Sequence, residues 1–87
     1  MKRLTVVFRA LANINRLKII KMLSAGARMT VGEIAEELEI SFKATSNHLA
    51  ILKNLDVLES RGAEGHVFYF INHQMPKYFK EAIEIIK

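Results

Sequence analysis

The sequence predicts a mainly α-helical domain that carries a small β-hairpin, in the order helix, helix, helix, helix, strand, strand, helix. Apolar residues recur at the three- and four-residue spacing of helices over most of the chain. The pattern changes to an alternation of period two between residues 57 and 71. With 87 residues, 51% of them hydrophobic, the chain suits a single domain over residues 1–87.

Two amphipathic helices are predicted near the N-terminus, over residues 3–12 and 14–24. Asn13 lies between them and can cap the second helix. Gly26 lies just past the end of the second helix, where a left-handed cap needs a glycine. The apolar stripes are Leu4, Val7, Phe8 and Leu11 in the first helix, and Leu17, Ile20 and Leu23 in the second.

The middle of the chain predicts a short helix followed closely by a longer one. Thr30 and Glu33 have the spacing of a capping box, which predicts a helix over residues 31–38. After a tight turn, Ser41 can cap a helix over residues 42–54. A short helix, a tight turn and a longer helix together form a helix-turn-helix.

The C-terminal part predicts a hairpin and a last helix. Residues 57–61 and 66–71 have the alternation of strands, and the four residues 62–65 between them have glycine at both ends. Pro76 suits the first turn of a helix over residues 76–86, where its missing N–H leaves no hydrogen bond unmade.

Composition excludes several classes of protein. The chain has no cysteine, which excludes disulfides, thiolate metal sites and thiol nucleophiles. It has no apolar run of about 18 residues, so no membrane span is expected. Its first nine residues lack the features of a signal peptide. These observations favour a cytoplasmic protein, and the net charge of +4 favours a polyanionic partner.

The start of the second helix in the predicted helix-turn-helix suits contact with DNA. In this motif the N-terminal residues of the second helix enter the major groove. Residues 41–47 contain no acid, and their hydroxyl, amide and ammonium groups can donate to phosphates or base edges. Serine, threonine and asparagine at a helix start are also ordinary caps, which is the better explanation for Ser41.

Four segments, in this order, are similar to the motifs of one known family. Residues 8–23 (FRALANINRLKIIKML) resemble its ALADPTRLRILRLL opening, and residues 31–38 (VGEIAEEL) resemble its VGELAEAL helix. Residues 41–52 (SFKATSNHLAIL) resemble its SQSTVSRHLKVL helix, and residues 65–69 (GHVFY) resemble a wing strand that ends in VYY. The chain thus resembles the ArsR-like winged helix-turn-helix family of prokaryotic regulators.

The resemblance implies a dimeric, DNA-binding repressor in the cytoplasm, associated with the nucleoid. The family's Ser and His-Leu positions match Ser46, His48 and Leu49, but we expect His48 to be a structural histidine packed and hydrogen-bonded between helices. Glu64 at the wing tip departs from a phosphate-binding pattern and argues against a deeply inserted wing. The implied DNA contacts are Lys43, Thr45, Ser46 and Asn47 in the major groove, with Arg61 and His66 flanking the turn of the wing.

Many members of that family sense metals, but the ligands are missing from the corresponding segments. No cysteine is available, and the last helix offers only Glu81 and Glu84, without histidine. The three histidines lie on elements that need not converge, as a zinc or nickel site requires. No nucleophile–base pair or phosphate-binding glycine loop is present. We therefore expect no metal, no cofactor and no enzymatic activity.

Surplus apolar surface predicts a two-fold homodimer. The central helices and the hairpin already make a small core, so the stripes of both terminal helices are hard to cover within one chain. Such a dimer would place two DNA-contacting helices roughly 34 Å apart and would therefore favour a palindromic operator. The predicted interface comprises Leu4, Val7, Phe8, Leu11, Tyr78, Phe79, Ala82, Ile83 and Ile86.

Two other functions are compatible with the sequence. A winged-helix domain can bind proteins rather than DNA, and a basic domain can bind DNA as an architectural protein without sequence preference. The sequence identifies neither an effector nor an operator.

Overall fold

The computed structural model describes the chain from residue 2 to residue 86, and the side chains from Thr5 to Ile85. The chain forms five helices and three strands within these residues, and the predicted mainly α-helical fold with a hairpin is confirmed. None of these helices is long and apolar enough to cross a membrane. The elements are α1 (Lys2–Leu11), α2 (Ile14–Ser24), β1 (Met29–Thr30), α3 (Val31–Leu38), α4 (Phe42–Asn54), β2 (Leu58–Ala63), β3 (His66–Ile71) and α5 (Lys77–Ile86).

The helix starts follow from their caps. The Asn13 side chain accepts hydrogen bonds from the backbone N–H groups of residues 15 and 16 at the start of α2. Thr30 and Glu33 form the complete capping box of α3. The Ser41 hydroxyl accepts from the N–H of Ala44 and caps α4. Each cap satisfies donors that have no partner inside the helix.

The three strands form one antiparallel sheet in the order β1-β3-β2. The hairpin turn has two residues rather than the predicted four, because Gly62 pairs with Val67 inside the sheet. Glu64 and Gly65 both have positive φ, at 52° and 78°, as a two-residue hairpin turn of the primed kind requires. Strand β1 was not predicted, and it extends the sheet by pairing with β3.

The core joins the helices to one face of the sheet. Buried residues of α2 and α4 lie at its centre, and α5 adds Phe79 and Ile83. The fully buried side chains include Ile19, Ile20, Leu23, Ile34, Leu49, Leu52, Val57 and Phe79.

This packing corrects part of the predicted dimer interface. Val7, Phe79 and Ile83 are buried against their own chain, so the expectation that they contact a partner is wrong. Helices α1 and α5 are in contact, and all three side chains belong to the core cluster of their own chain. Leu11, Tyr78 and Ala82 are partly buried on the same core. The side chains of Leu4 and Ile86 lie outside the described residues, and Phe8 is 67% exposed.

Candidate nucleic-acid interface

The turn between α3 and α4 is short and closed by hydrogen bonds. Glu39 adopts a left-handed conformation with φ of 57°. Its N–H donates to the carbonyl of Glu36, and the N–H of Ile40 donates to the carbonyl of Ala35, each at 3.2 Å. These two bonds satisfy carbonyls at the end of α3. Helix α4 therefore starts in a defined direction, with α3 packed against it.

Helix α4 has an inner and an outer face. Its inner face is formed by Leu49 and Leu52, which are fully buried. Its outer face carries Lys43, Ser46 and Asn47, all exposed and all within the first two turns. The helix contains no acidic residue, and the N-terminal end of a helix carries partial positive charge. The structure thus brings three of the predicted DNA contacts onto one exposed, acid-free surface of α4.

Thr45 corrects the predicted set of contacts. Its side chain is 0% exposed, and its hydroxyl donates to the Ser41 carbonyl at 2.9 Å. A threonine hydroxyl committed to the previous turn and shielded from solvent cannot reach a base edge. The prediction that Thr45 contacts DNA is therefore wrong, and the residue instead fixes the first turn of α4.

Arg61 and His66 lie on the hairpin rather than on α4. Both are exposed, on β2 and β3 respectively, close to the turn. The ring of His66 meets the ring of Phe68 edge-on, with 6.3 Å between their centroids. Arg28, which the prediction did not include, lines the same shallow depression as Arg61. Its guanidinium lies 4.3 Å from the centre of the Phe70 ring.

Arg16 is a functional candidate that sequence reasoning missed. Its Nε donates to the carbonyl of Ala10 at 2.7 Å, and its Nη2 donates to the carbonyl of Arg9 at 3.1 Å. Its Nη1 lies 3.3 Å from Nδ1 of His48 in α4. One side chain therefore ties the end of α1 to α4. Arg16 lies in the first turn of α2, three residues after the cap Asn13, but no spacing in the sequence identifies the groups that it binds.

His48 is the packed, hydrogen-bonded histidine that was expected. It is partly buried between helices and pairs with Arg16. Since a guanidinium can only donate, Nδ1 of His48 accepts and the imidazole proton resides on Nε2. Burial, and secondarily the positive charge of Arg16, lower the pKa of His48 below its ordinary value of 6.5.

This lowered pKa predicts acid sensitivity of the fold. Below pH 6.5 the unfolded chain takes up a proton at His48 that the folded chain resists, so the free energy of unfolding should fall as pH decreases towards the folded-state pKa. Denaturant unfolding between pH 5 and pH 8 should show this loss in the wild type. His48→Gln, which cannot take up the proton, should show a flatter profile. Parallel profiles for the two proteins would contradict the assignment.

The described residues contain no group of three or more histidine, aspartate or glutamate side chains that could hold a metal ion.

Comparison with known proteins places this architecture among bacterial regulators. Residues 13–60 match the model of a family described as bacterial regulatory protein, arsR family. This match includes α2, α3, α4 and the start of β2. It therefore contains the whole helix-turn-helix.

Individual relatives agree with this match. The chain is 38% identical over 66 residues to the transcriptional repressor SdpR of Bacillus subtilis, covering 76% of this chain and 72% of SdpR. It is 33% identical over 75 residues to a homolog of the cadmium resistance regulatory protein CadC from Staphylococcus aureus, covering 86% of this chain and 62% of that protein.

Solved structures show the same fold. The structure of HlyU from Vibrio cholerae superposes with a TM-score of 0.79 at 33% identity, covering 98% of this chain and 88% of that one. The homodimeric winged helix-turn-helix DNA-binding domain of Mb0332 from Mycobacterium bovis gives a TM-score of 0.77 at 25% identity, covering 98% and 75%. These relatives are transcriptional regulators rather than enzymes. By its matching helix-turn-helix and its relatives, this winged helix-turn-helix chain belongs to the arsR family of bacterial regulatory proteins.

Proposed function

We propose that this chain is a sequence-specific, double-stranded DNA-binding transcriptional regulator that acts as a dimeric repressor at a palindromic operator. The observation that carries the proposal is the acid-free outer face of α4, where Lys43, Ser46 and Asn47 are exposed together. Their ammonium, hydroxyl and amide groups can donate to phosphates and base edges in a major groove. SdpR is named a repressor, whereas HlyU is named an activator, so activation is the second outcome to test.

Exposed apolar residues on the terminal helices support a dimer. Phe8 on α1 and Ile85 on α5 are exposed, and the two helices are in contact. Together they provide an apolar surface that a second copy could cover. The Mb0332 domain is described as homodimeric. A two-fold dimer would separate the two α4 helices by roughly 34 Å, one turn of the duplex.

The hairpin provides a second contact in this proposal. Arg61 and His66 would approach the DNA backbone beside the major groove, while Glu64 at the turn would keep the tip from inserting deeply. The regulator would work in the cytoplasm, on the nucleoid.

To test the proposal, an operator is first selected from genomic fragments. Its binding affinity is then measured for the wild type and for variants of α4. Lys43→Ala should weaken specific binding by about tenfold and reduce the salt dependence of log Kd by about one unit, because one phosphate contact is lost. Ser46→Ala should weaken binding several-fold without changing that dependence. Lys21→Ala removes the same charge from α2 and should change affinity little.

Three results would overturn parts of the proposal. Unchanged affinity in both α4 variants would show that another surface contacts the operator. Equal affinity for all duplexes with the same salt slope would identify an architectural DNA-binding protein. Absence of DNA binding would favour a protein-interaction domain.

A further inference from the structure

Phe42 is an exposed aromatic residue at the start of α4. It is the first residue of the helix, and its side chain is 63% exposed. The buried residues of α4 do not begin until Thr45. A large apolar side chain left in water loses the free energy that burial would provide. Nothing in the core therefore explains a phenylalanine at this position.

The position of Phe42 places its ring beside the polar surface of α4. Residues four apart in a helix are neighbours, so Phe42 lies next to Ser46, and Lys43 follows it directly. Side chains in a helix lean towards the N-terminus, so the ring extends towards the tip of α4. That tip is the part of α4 that would enter the major groove in the proposed function.

The major groove offers one apolar group that suits a phenyl ring. Base edges there present hydrogen-bond donors and acceptors, and thymine alone adds a C5-methyl group. We propose that Phe42 is a specificity determinant that packs against the C5-methyl group of one thymine in each half-site of the operator. This inference rests on the proposed DNA-binding function and names one base that the function selects.

The charge around Phe42 favours DNA over a protein as the occupant of this surface. Lys43, the next residue, is exposed, and the first turn of α4 contains no acid. The helix N-terminus also contributes positive potential. This surface is therefore continuous with the phosphate-attracting face of α4 and complements a polyanion rather than a second basic chain.

The experiment removes only the methyl group from the DNA. Each thymine of the selected operator is replaced in turn by deoxyuridine, which keeps every hydrogen-bonding atom of the base. For the wild type, replacement at one particular thymine of a half-site should lower the affinity about fourfold, as expected for the loss of one buried methyl group. Replacement of this thymine in both half-sites should lower the affinity about fifteenfold. Phe42→Ala should bind the thymine and deoxyuridine operators equally.

Controls distinguish this contact from general effects. Phe42→Leu keeps an apolar side chain and should retain part of the discrimination. Ile51→Ala removes another exposed apolar side chain of α4 and should retain all of it. Lys43→Ala should bind both operators more weakly while keeping their ratio.

Each outcome decides a separate statement. A selected operator whose affinity is unaffected by deoxyuridine at every position overturns the role of Phe42 and leaves the proposed function standing. If Phe42→Ala still binds the thymine operator more tightly than the deoxyuridine operator, the role of Phe42 is likewise overturned and the proposed function stands. Failure to select any preferred sequence overturns the proposed function and this inference together.

Discussion

Replacing Phe79 by alanine is expected to lower the free energy of unfolding by about 3–5 kcal/mol, as is typical of a buried phenylalanine. The side chain is 1% exposed and joins α5 to the core, so truncation leaves a cavity in that core. Denaturant unfolding monitored by circular dichroism measures the change. Because the lost contacts lie within one chain, the change should be the same at low and high protein concentration.

Phe8 provides the matched control on the neighbouring helix. Its side chain is 67% exposed, so Phe8→Ala should change the unfolding free energy of the monomer by less than about 1 kcal/mol. It should instead shift the monomer–dimer equilibrium towards monomer in sedimentation experiments. A concentration-dependent effect of Phe79→Ala would contradict the packing of α5 on its own chain.

Arg16→Ala is expected to lower the free energy of unfolding by about 2 kcal/mol. The substitution removes two charge-assisted bonds to carbonyls at the end of α1 and the bond to His48. Such bonds contribute about 1.5–3 kcal/mol each when shielded, and partial exposure to solvent reduces the total here. It should also weaken operator binding at temperatures where the variant is fully folded, because α4 loses a support.

Two further variants separate these contributions. Arg16→Lys keeps the charge but cannot form the forked set of bonds, and should recover less than half of the lost stability. Lys18→Ala, an exposed position on the same helix, should change stability by less than about 0.5 kcal/mol. Full stability in Arg16→Ala would show that these hydrogen bonds contribute nothing to the fold.

The helix-turn-helix was predictable because local chemistry sets its boundaries. Asn13, Thr30, Glu33 and Ser41 have side chains that cap helices wherever the next residues can become helical, and all four do so here. The predicted bounds of α3 and α4 match the observed ones for the same reason.

The errors arose where the outcome depends on residues distant in sequence. From the sequence, the apolar stripe that contains Phe79 could be buried against a partner chain or against the core of its own chain. Only the packing of α5 in the folded structure distinguishes these two arrangements. Thr45 and Ser46 are both small hydroxyl residues, but a helical rotation of 100° buries the first and exposes the second. Strand β1 has two residues, too few for an alternating pattern. Arg16 is one of several basic residues near the N-terminus, and their spacing does not show which groups each side chain hydrogen-bonds.

Thr30 is both the last residue of strand β1 and the N-cap of helix α3. It pairs with Phe68 in β3, while it exchanges hydrogen bonds with Glu33 at the start of α3. Since α3 begins at the next residue, no flexible joint separates the hairpin from the helix pair. A rotation of the hairpin would therefore tilt α3, and also α4, because α4 packs against α3. In the proposed complex with DNA, the hairpin and the helix-turn-helix would therefore engage or leave the duplex together.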